Sequence, residues 1–163
     1  MSRQTLAALA LCLLAACGGA TPKELAKQAD DALIAGDAAK AQKLAEQGQE
    51  AMKGAEPSRE TDWALERVRL EAHAKQGHLA EVEAGLTKAS LAYPDQVKAD
   101  FYAKLARELA DAGKSVESLE LVEVGKKKFP DKAAAFDGLI AELKNKASSD
   151  DALTAKLKQL GYL

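Results

Sequence analysis

The sequence predicts an all-α fold in which antiparallel helix pairs stack one on the next and a C-terminal helix caps the stack. Three observations predict it. Apolar residues make up 47% of the 163 positions but aromatics only 4%, so much of the apolar content is Ala and Leu, both strong helix formers. Val and Ile are sparse, and no segment alternates apolar and polar residues with the period of a strand. A Gly-to-Pro interval also recurs. Gly77 leads to Tyr93-Pro94-Asp95 and Gly113 to Phe129-Pro130-Asp131, each Pro seventeen positions after its Gly and the two units thirty-six apart. A period of this length marks stacked helical repeats rather than a single closed globule.

The first residues are a separate object. Arg3 supplies a positive start, Leu6 to Leu14 a short apolar stretch, and Ala15 to Gly19 a run of small residues and Cys. The apolar stretch is too short to span a bilayer and reads as a secretory signal. Leu14-Ala15-Ala16-Cys17 resembles the bacterial lipobox. That resemblance implies a signal peptide over residues 1–16, cleavage before Cys17, and lipidation of the Cys17 sulfur and of the new amino group. Residues 17–22 are then a short lipidated tether, and residues 23–163 a folded helical domain close to the membrane surface. Two or three acyl chains hold firmly where one does not. Gly18 rather than Asp follows the Cys, which implies sorting to the outer membrane, facing the periplasm, in a Gram-negative cell. An ordinary secretory signal with a coincidental Cys is the other reading. Cys12 leaves with the signal, so the mature chain keeps no thiol for a disulfide or a metal.

Thr21 and Glu24 form a capping box with Pro22 at the first helical position, and a helix from Lys23 to about Ala35 follows. Gly36-Asp37 breaks it, and a second helix runs from Ala38 to Lys53. Gly54 to Asp62 carries Gly, Pro and charge without an apolar period and reads as a linker. Helices over Asp62–Lys75, His78–Ala92, Gln96–Ala112 and Ser115–Lys128 come next, punctuated by Gly77, Pro94-Asp95, Gly113 and Pro130-Asp131. A helix from Lys132 to Lys146 carries Phe136, Ile140 and Leu143 on one side. The Ser148 to Asp151 cluster caps a last helix with Leu153, Leu157 and Leu160, which stops at Gly161 and lets Tyr162 and Leu163 fold back.

The pattern resembles the tetratricopeptide repeat, a unit of about 34 residues built from two antiparallel helices. The best unit starts at Ala99 and places Tyr102, Leu105, Ala106, Leu109, Gly113, Ser118, Val122, Gly125 and Pro130 at the family's large, small and closing sites. In the unit before it Val82, Leu86, Ala89 and Pro94 fit. Its first helix fits only when shifted by one, with Leu65, Val68 and Ala72 at the sites and Arg69 where a small residue is expected. The first unit keeps Leu25, Ala29, Ala32, Gly36, Ala41, Ala45 and Gly48 but lacks the aromatic fillers. The resemblance covers Pro22 to Asp131. A plain helical bundle whose Gly and Pro merely end helices is the alternative.

The resemblance implies that the first helix of each pair lines a concave groove for a peptide or extended segment. On the Asp62–Lys75 helix, Trp63, Arg67, Leu70 and Ala74 form a second stripe with Glu66 and His73 beside it. Trp63 is the only Trp, and Trp and Arg anchor many binding surfaces. The expected groove is Trp63, Arg67, Leu70 and His73, with Asp100, Ala103 and Arg107 from the next such helix. Packing of Trp63 against the linker or the first repeat is the open alternative.

Charge and motifs narrow the function class. A net charge of −2, with 29% charged residues of both signs, gives no basic stripe for nucleic acid. His73 and His78 lie near Glu71 and Glu81 but lack the converging ligands a metal needs. No phosphate-binding Gly loop is present, and no Ser or Thr sits in a setting of His plus acid, so no cofactor and no catalytic group is expected. Lys126-Lys127-Lys128 suits a helix C-terminus. The expected function is that of an envelope lipoprotein, not an enzyme, that binds another envelope protein or peptide segment as an adaptor or assembly factor. An accessory cell-wall enzyme, a small-ligand binder and a purely structural spacer are the contrasting classes.

Overall fold

The computed structural model describes residues 19–53 and 58–163, and within them the chain is all-helical. The expected signal peptide, Cys17 with its lipid, and residues 54–57 of the expected linker lie outside the described residues. Eight α-helices follow in order: α1 (Pro22–Ile34), α2 (Ala38–Met52), α3 (Arg59–Lys75), α4 (Leu79–Ala92), α5 (Ala99–Asp111), α6 (Ser115–Lys128), α7 (Asp137–Lys146) and α8 (Asp151–Gln159).

Local chemistry sets most of these ends. At α1 the Thr21 backbone N–H donates to Glu24 at 2.8 Å while the Glu24 N–H donates to the Thr21 hydroxyl at 3.3 Å, the reciprocal capping box. Asp37 caps α2 by accepting from the Lys40 N–H, and Asp150 caps α8 by accepting from the Leu153 N–H. One turn closes α1, α3, α5 and α8. At α5 the Gly113 N–H donates to the Ala110 carbonyl and the Lys114 N–H to the Leu109 carbonyl, with Gly113 at φ 79°. Only a residue without Cβ adopts that backbone cheaply, so Gly36, Gly77, Gly113 and Gly161 hold equivalent places. α4 and α6 end in another shared way. Tyr93 and Phe129 leave the helical region at φ −133° and −128°, as the following Pro requires.

Three boundaries differ from the sequence expectation. Arg59 to Asp62 is helix, not linker, because Ser58 caps α3 and Glu60 and Asp62 place negative charge in its first turn. Gln96 to Lys98 is not helix. There the Val97 side chain is buried, and the Gln96 and Val97 N–H groups both turn back onto the Tyr93 carbonyl. Pro130 to Phe136 is a 3₁₀ stretch kinked at Lys132, which swings Phe136 fully into the core ahead of α7.

α1 packs on α2 and α3; α3 packs on α2, α4 and α5; α5 packs on α6 and α7; α6 also meets α4 and α8. Apart from Leu25, which is half-buried, the side chains singled out as large or small fillers all lie in the interior. Close helix approach depends on glycines without positive φ. A Cβ on Gly125 would stand 2.5 Å from the Phe136 ring, and one on Gly48 would stand 2.5 Å from Leu65. At Gly85 the same atom would meet Leu70.

The core falls into two clusters that share α3 as a wall. Leu65, Val68 and Ala72 belong to the first, with Ala26, Ala29, Ala32, Leu33, Ala41, Ala45 and Met52. Leu70 and Ala74 belong to the second, which gathers Leu86, Tyr102, Leu105, Leu109, Leu119, Leu121, Phe136, Leu143, Leu153 and Leu157. The C-terminus closes on this second cluster. The Tyr162 hydroxyl donates to Glu123 at 2.6 Å, and the Lys126 ammonium lies 4.7 Å from the Tyr162 ring centroid.

Candidate partner-binding face

The odd-numbered helices present a polar stripe. Arg67, at the middle of α3, donates to Asp30 of α1 at 2.7 Å and to Glu71 one turn along at 3.1 Å. Glu71 in turn accepts from Lys104 of α5 at 2.6 Å. Lys75 of α3 reaches Glu108 of α5 at 2.6 Å, and Arg107 of α5 reaches Glu142 of α7 at 2.7 Å. Opposite charges therefore bridge each odd helix to the next across the face. The Glu71 side chain is 3% exposed while that of Lys104 is 47% exposed, so the ladder is anchored below the surface and open above it. Burial lowers the Arg67 pKa, but the Asp30 and Glu71 carboxylates outweigh it and hold the guanidinium charged. A cleft of about 400 Å³ opens here, lined by Asp30, Leu33, Ile34, Arg67, Lys104 and Glu108 among others.

At the other end of α3 the face becomes aromatic. The Trp63 ring lies 5.2 Å from Tyr93 and 5.4 Å from Phe101, tilted and edge-on, as ring quadrupoles prefer. Trp63 and Phe101 are half-buried and Tyr93 is buried. A second cleft of about 340 Å³ runs beside Trp63 and Tyr93, between Arg59, Glu60, Asp95 and Gln96. Burial, then the Asp62 carboxylate, pushes the Tyr93 hydroxyl far above the ordinary tyrosine range.

The seven expected groove residues divide. Arg67 and Arg107 stand in the charge ladder, Asp100 is exposed in the first turn of α5, and Ala103 is half-buried against the core. Trp63 is on the aromatic end, packed on Tyr93 and Phe101. Leu70 and His73 do not line this face. Leu70 is fully buried, filling the space that Gly85 leaves on α4, and His73 is 7% exposed, with Glu46 of α2 and Glu81 of α4 among the charges near it. The expected stripe follows a 4-3-4 spacing, and on the helix its Leu70 and Ala74 turn into the core, while Arg67, Glu71 and Lys75, four residues apart, line the cleft on this face.

Glu71, Lys104, Tyr93 and Phe101 were not among the expected face residues. The four-residue steps from Arg67 to Glu71 and from Lys104 to Glu108 were available as a signal. Nothing local marks Phe101, whose contact with Trp63 depends on how α5 lies against α3.

No protein-family model, no curated protein and no solved structure matches this chain. Among the described residues no group of three or more His, Cys, Asp or Glu is placed to hold a metal ion, and no helix is long and apolar enough to cross a membrane.

A third cleft, of about 460 Å³, lies on the opposite side between α2 and α4, with Glu66 and Arg69 of α3 on its floor. Gln49 donates to Glu66 at 2.9 Å, and Arg69 donates to both Glu66 oxygens at 2.7 and 3.0 Å. Next along α3 is His73, whose buried Nδ1 has no hydrogen-bond partner; burial and the Arg69 charge hold the imidazole below its ordinary pKa.

Proposed function

We propose that the chain is an envelope lipoprotein, anchored through Cys17, that binds another envelope protein or an extended peptide segment as an adaptor or assembly factor. In this reading the helices form a short solenoid like that of tetratricopeptide repeats, with α1–α2, α3–α4 and α5–α6 as its pairs and α8 as the cap. Support comes from the packing of each odd helix on the next odd one, from the shared glycine turn, and from the interior placement of nearly all the residues that carry the resemblance. The observation that carries the binding reading is the face itself. It joins a half-buried aromatic cluster around Trp63 to a polar stripe across the odd helices, the mixture of anchor and rim that recognition surfaces use.

A photocrosslinker at Asp100, exposed in the first turn of α5, tests the reading in the native envelope. A partner captured there, lost on Trp63→Ala and not captured from Leu91 on α4, supports it; Leu91 is 84% exposed and belongs to the other side. Equal capture from both positions overturns it. The anchor is tested apart from the face, since a Cys17→Ser chain that still fractionates with membranes refutes lipidation alone.

A purely structural spacer is a second reading, favoured by one observation: the ladder's charges are satisfied within the chain. It expects no partner at Asp100 at all.

A further inference from the structure

α3 separates two unequal parts of the core. On one side the buried cluster is largely alanine from α1 and α2, closed by Leu65 and Val68. On the other are the leucines, tyrosines and Phe136 of the remaining helices. Alanine removes little apolar area from water, so the first cluster is the weaker of the two. Between them runs a polar seam. Gln49 and Gln42 of α2 meet Glu66 of α3 and Gln76 at its C-terminal end through hydrogen bonds of 2.9 Å, and Arg69 lies on the floor of the cleft between α2 and α4. His73 lies in this seam, 7% exposed, with Nδ1 buried and unpartnered.

We infer that the α1–α2 hairpin is a separately opening unit, and that protonation of His73 releases it from α3. The groups facing the imidazole are Glu46 from α2, Arg69 on α3 itself, His78 in the following turn with its ring centroid 5.8 Å away, and Glu81 from α4. Glu46 and Glu81 favour the charged ring; Arg69, His78 and the loss of water oppose it. The opposition is the larger, since the folded imidazole stays neutral below its ordinary pKa. An added proton on Nδ1 would be a buried charged donor with no acceptor.

With the hairpin lifted, the ring meets water and takes its proton near pH 6.5; with the hairpin closed, it takes that proton only at lower pH. Acid therefore favours the open form. The opening equilibrium grows by up to about tenfold per pH unit below pH 6.5, until the folded pKa is reached. Above that pH the effect is absent. α5 and α6 do not touch the seam and stay closed.

Amide hydrogen exchange of the full chain, read by mass spectrometry at pH 7.5 and pH 5.5, tests this. Exchange in α1–α2 is referred to that in α5–α6, which removes the intrinsic pH dependence of the chemistry. The ratio rises at pH 5.5 in the natural chain, by at most about tenfold, and stays level in His73→Gln. A ratio that does not change, or one that rises equally in His73→Gln, overturns the inference. Should His73→Gln not fold, NMR titration of the natural chain decides: a His73 pKa below the ordinary value supports the latch, and one at or above it refutes it.

Discussion

Gly125 tests whether the close approach of α6 to the 3₁₀ stretch is a packing requirement or an accident of sequence. Two opposed effects meet in Gly125→Ala. Ala gains about 1 kcal/mol over Gly in a helix interior, because less backbone freedom is lost on folding. Against this, the new methyl would lie 2.5 and 2.8 Å from two atoms of the Phe136 ring and 3.2 Å from Tyr102 Cβ. Phe136 is fully buried, and a Cβ cannot swing away as a side-chain tip can. Overpacking of this kind costs about 1–3 kcal/mol, and the two ring contacts place it in the upper part of that range. The net expectation is a loss of about 1–2 kcal/mol, or a Tm lower by roughly 2–8 °C for a chain of this size. Gly138 is the control. It is also helical, but nothing lies within 4 Å of its added Cβ, so Gly138→Ala is neutral to stabilising by at most about 1 kcal/mol. In a Phe136→Leu background the loss at Gly125 shrinks, giving a coupling of about 1 kcal/mol. Urea unfolding followed by circular dichroism measures the natural chain and its four variants. If Gly125→Ala proved as benign as Gly138→Ala, the helix contact would not be tight and the reasoning would fail.

Arg67→Glu places a carboxylate between Asp30 and Glu71 and destabilises the chain by about 1–2 kcal/mol, the modest size reflecting partial exposure; Asp30→Arg in that background restores part of it, again by urea unfolding. Tyr93 and Tyr162 are held protonated, by burial first and then by Asp62 and Glu123. The unfolded phenols lose protons near pH 10, so stability falls as pH rises through and above that value, and absorbance at 295 nm shows two late-titrating tyrosines. Once a partner is in hand, Trp63→Ala weakens binding by about 2 kcal/mol, near thirtyfold, and Arg107→Ala by less than about 1 kcal/mol. Calorimetry giving the reverse order would place recognition on the charge ladder instead.

The helices were legible because their ends are written locally. Thr21, Asp37 and Asp150 supply cap oxygens, and Gly36, Gly77, Gly113 and Gly161 supply the one turn that closes a helix with φ positive. Where an end depends on burial elsewhere, it was misplaced. Val97 delays α5 by plugging the core, and Phe136 converts a helix start into a 3₁₀ stretch for the same reason. The face was half legible. Arg67 and Arg107 could be assigned from the outer stripe of their helices, whereas Leu70 and His73 were drawn in by a spacing that mixes two sides of α3. Periodicity tells which residues share a stripe; it does not tell which stripe a second neighbour will cover, and α3 has neighbours on both sides.

That double burden explains why the helix that fits the repeat pattern only after a shift of one is also the one around which the core divides. With Leu65, Val68 and Ala72 committed to α1 and α2, the next stripe along must serve α4, and Leu70 and Ala74 do so. Arg69 falls between the two, where a small residue would let the even helices approach. Its guanidinium reaches to 3.1 Å of the Cβ position of Gly85 and pairs with Glu66, so the space between α2 and α4 is filled by a charge pair instead of by helix contact. A cleft opens above it, and His73, one turn further on, is enclosed without a partner for Nδ1. α4 and α6, by contrast, meet directly, and the residue of α5 at the small site is Ala106. One large residue in place of a small one thus keeps α2 and α4 apart, while α1 and α2 stay packed on α3. It makes α3 the helix on which both the polar seam and the Trp63 face depend.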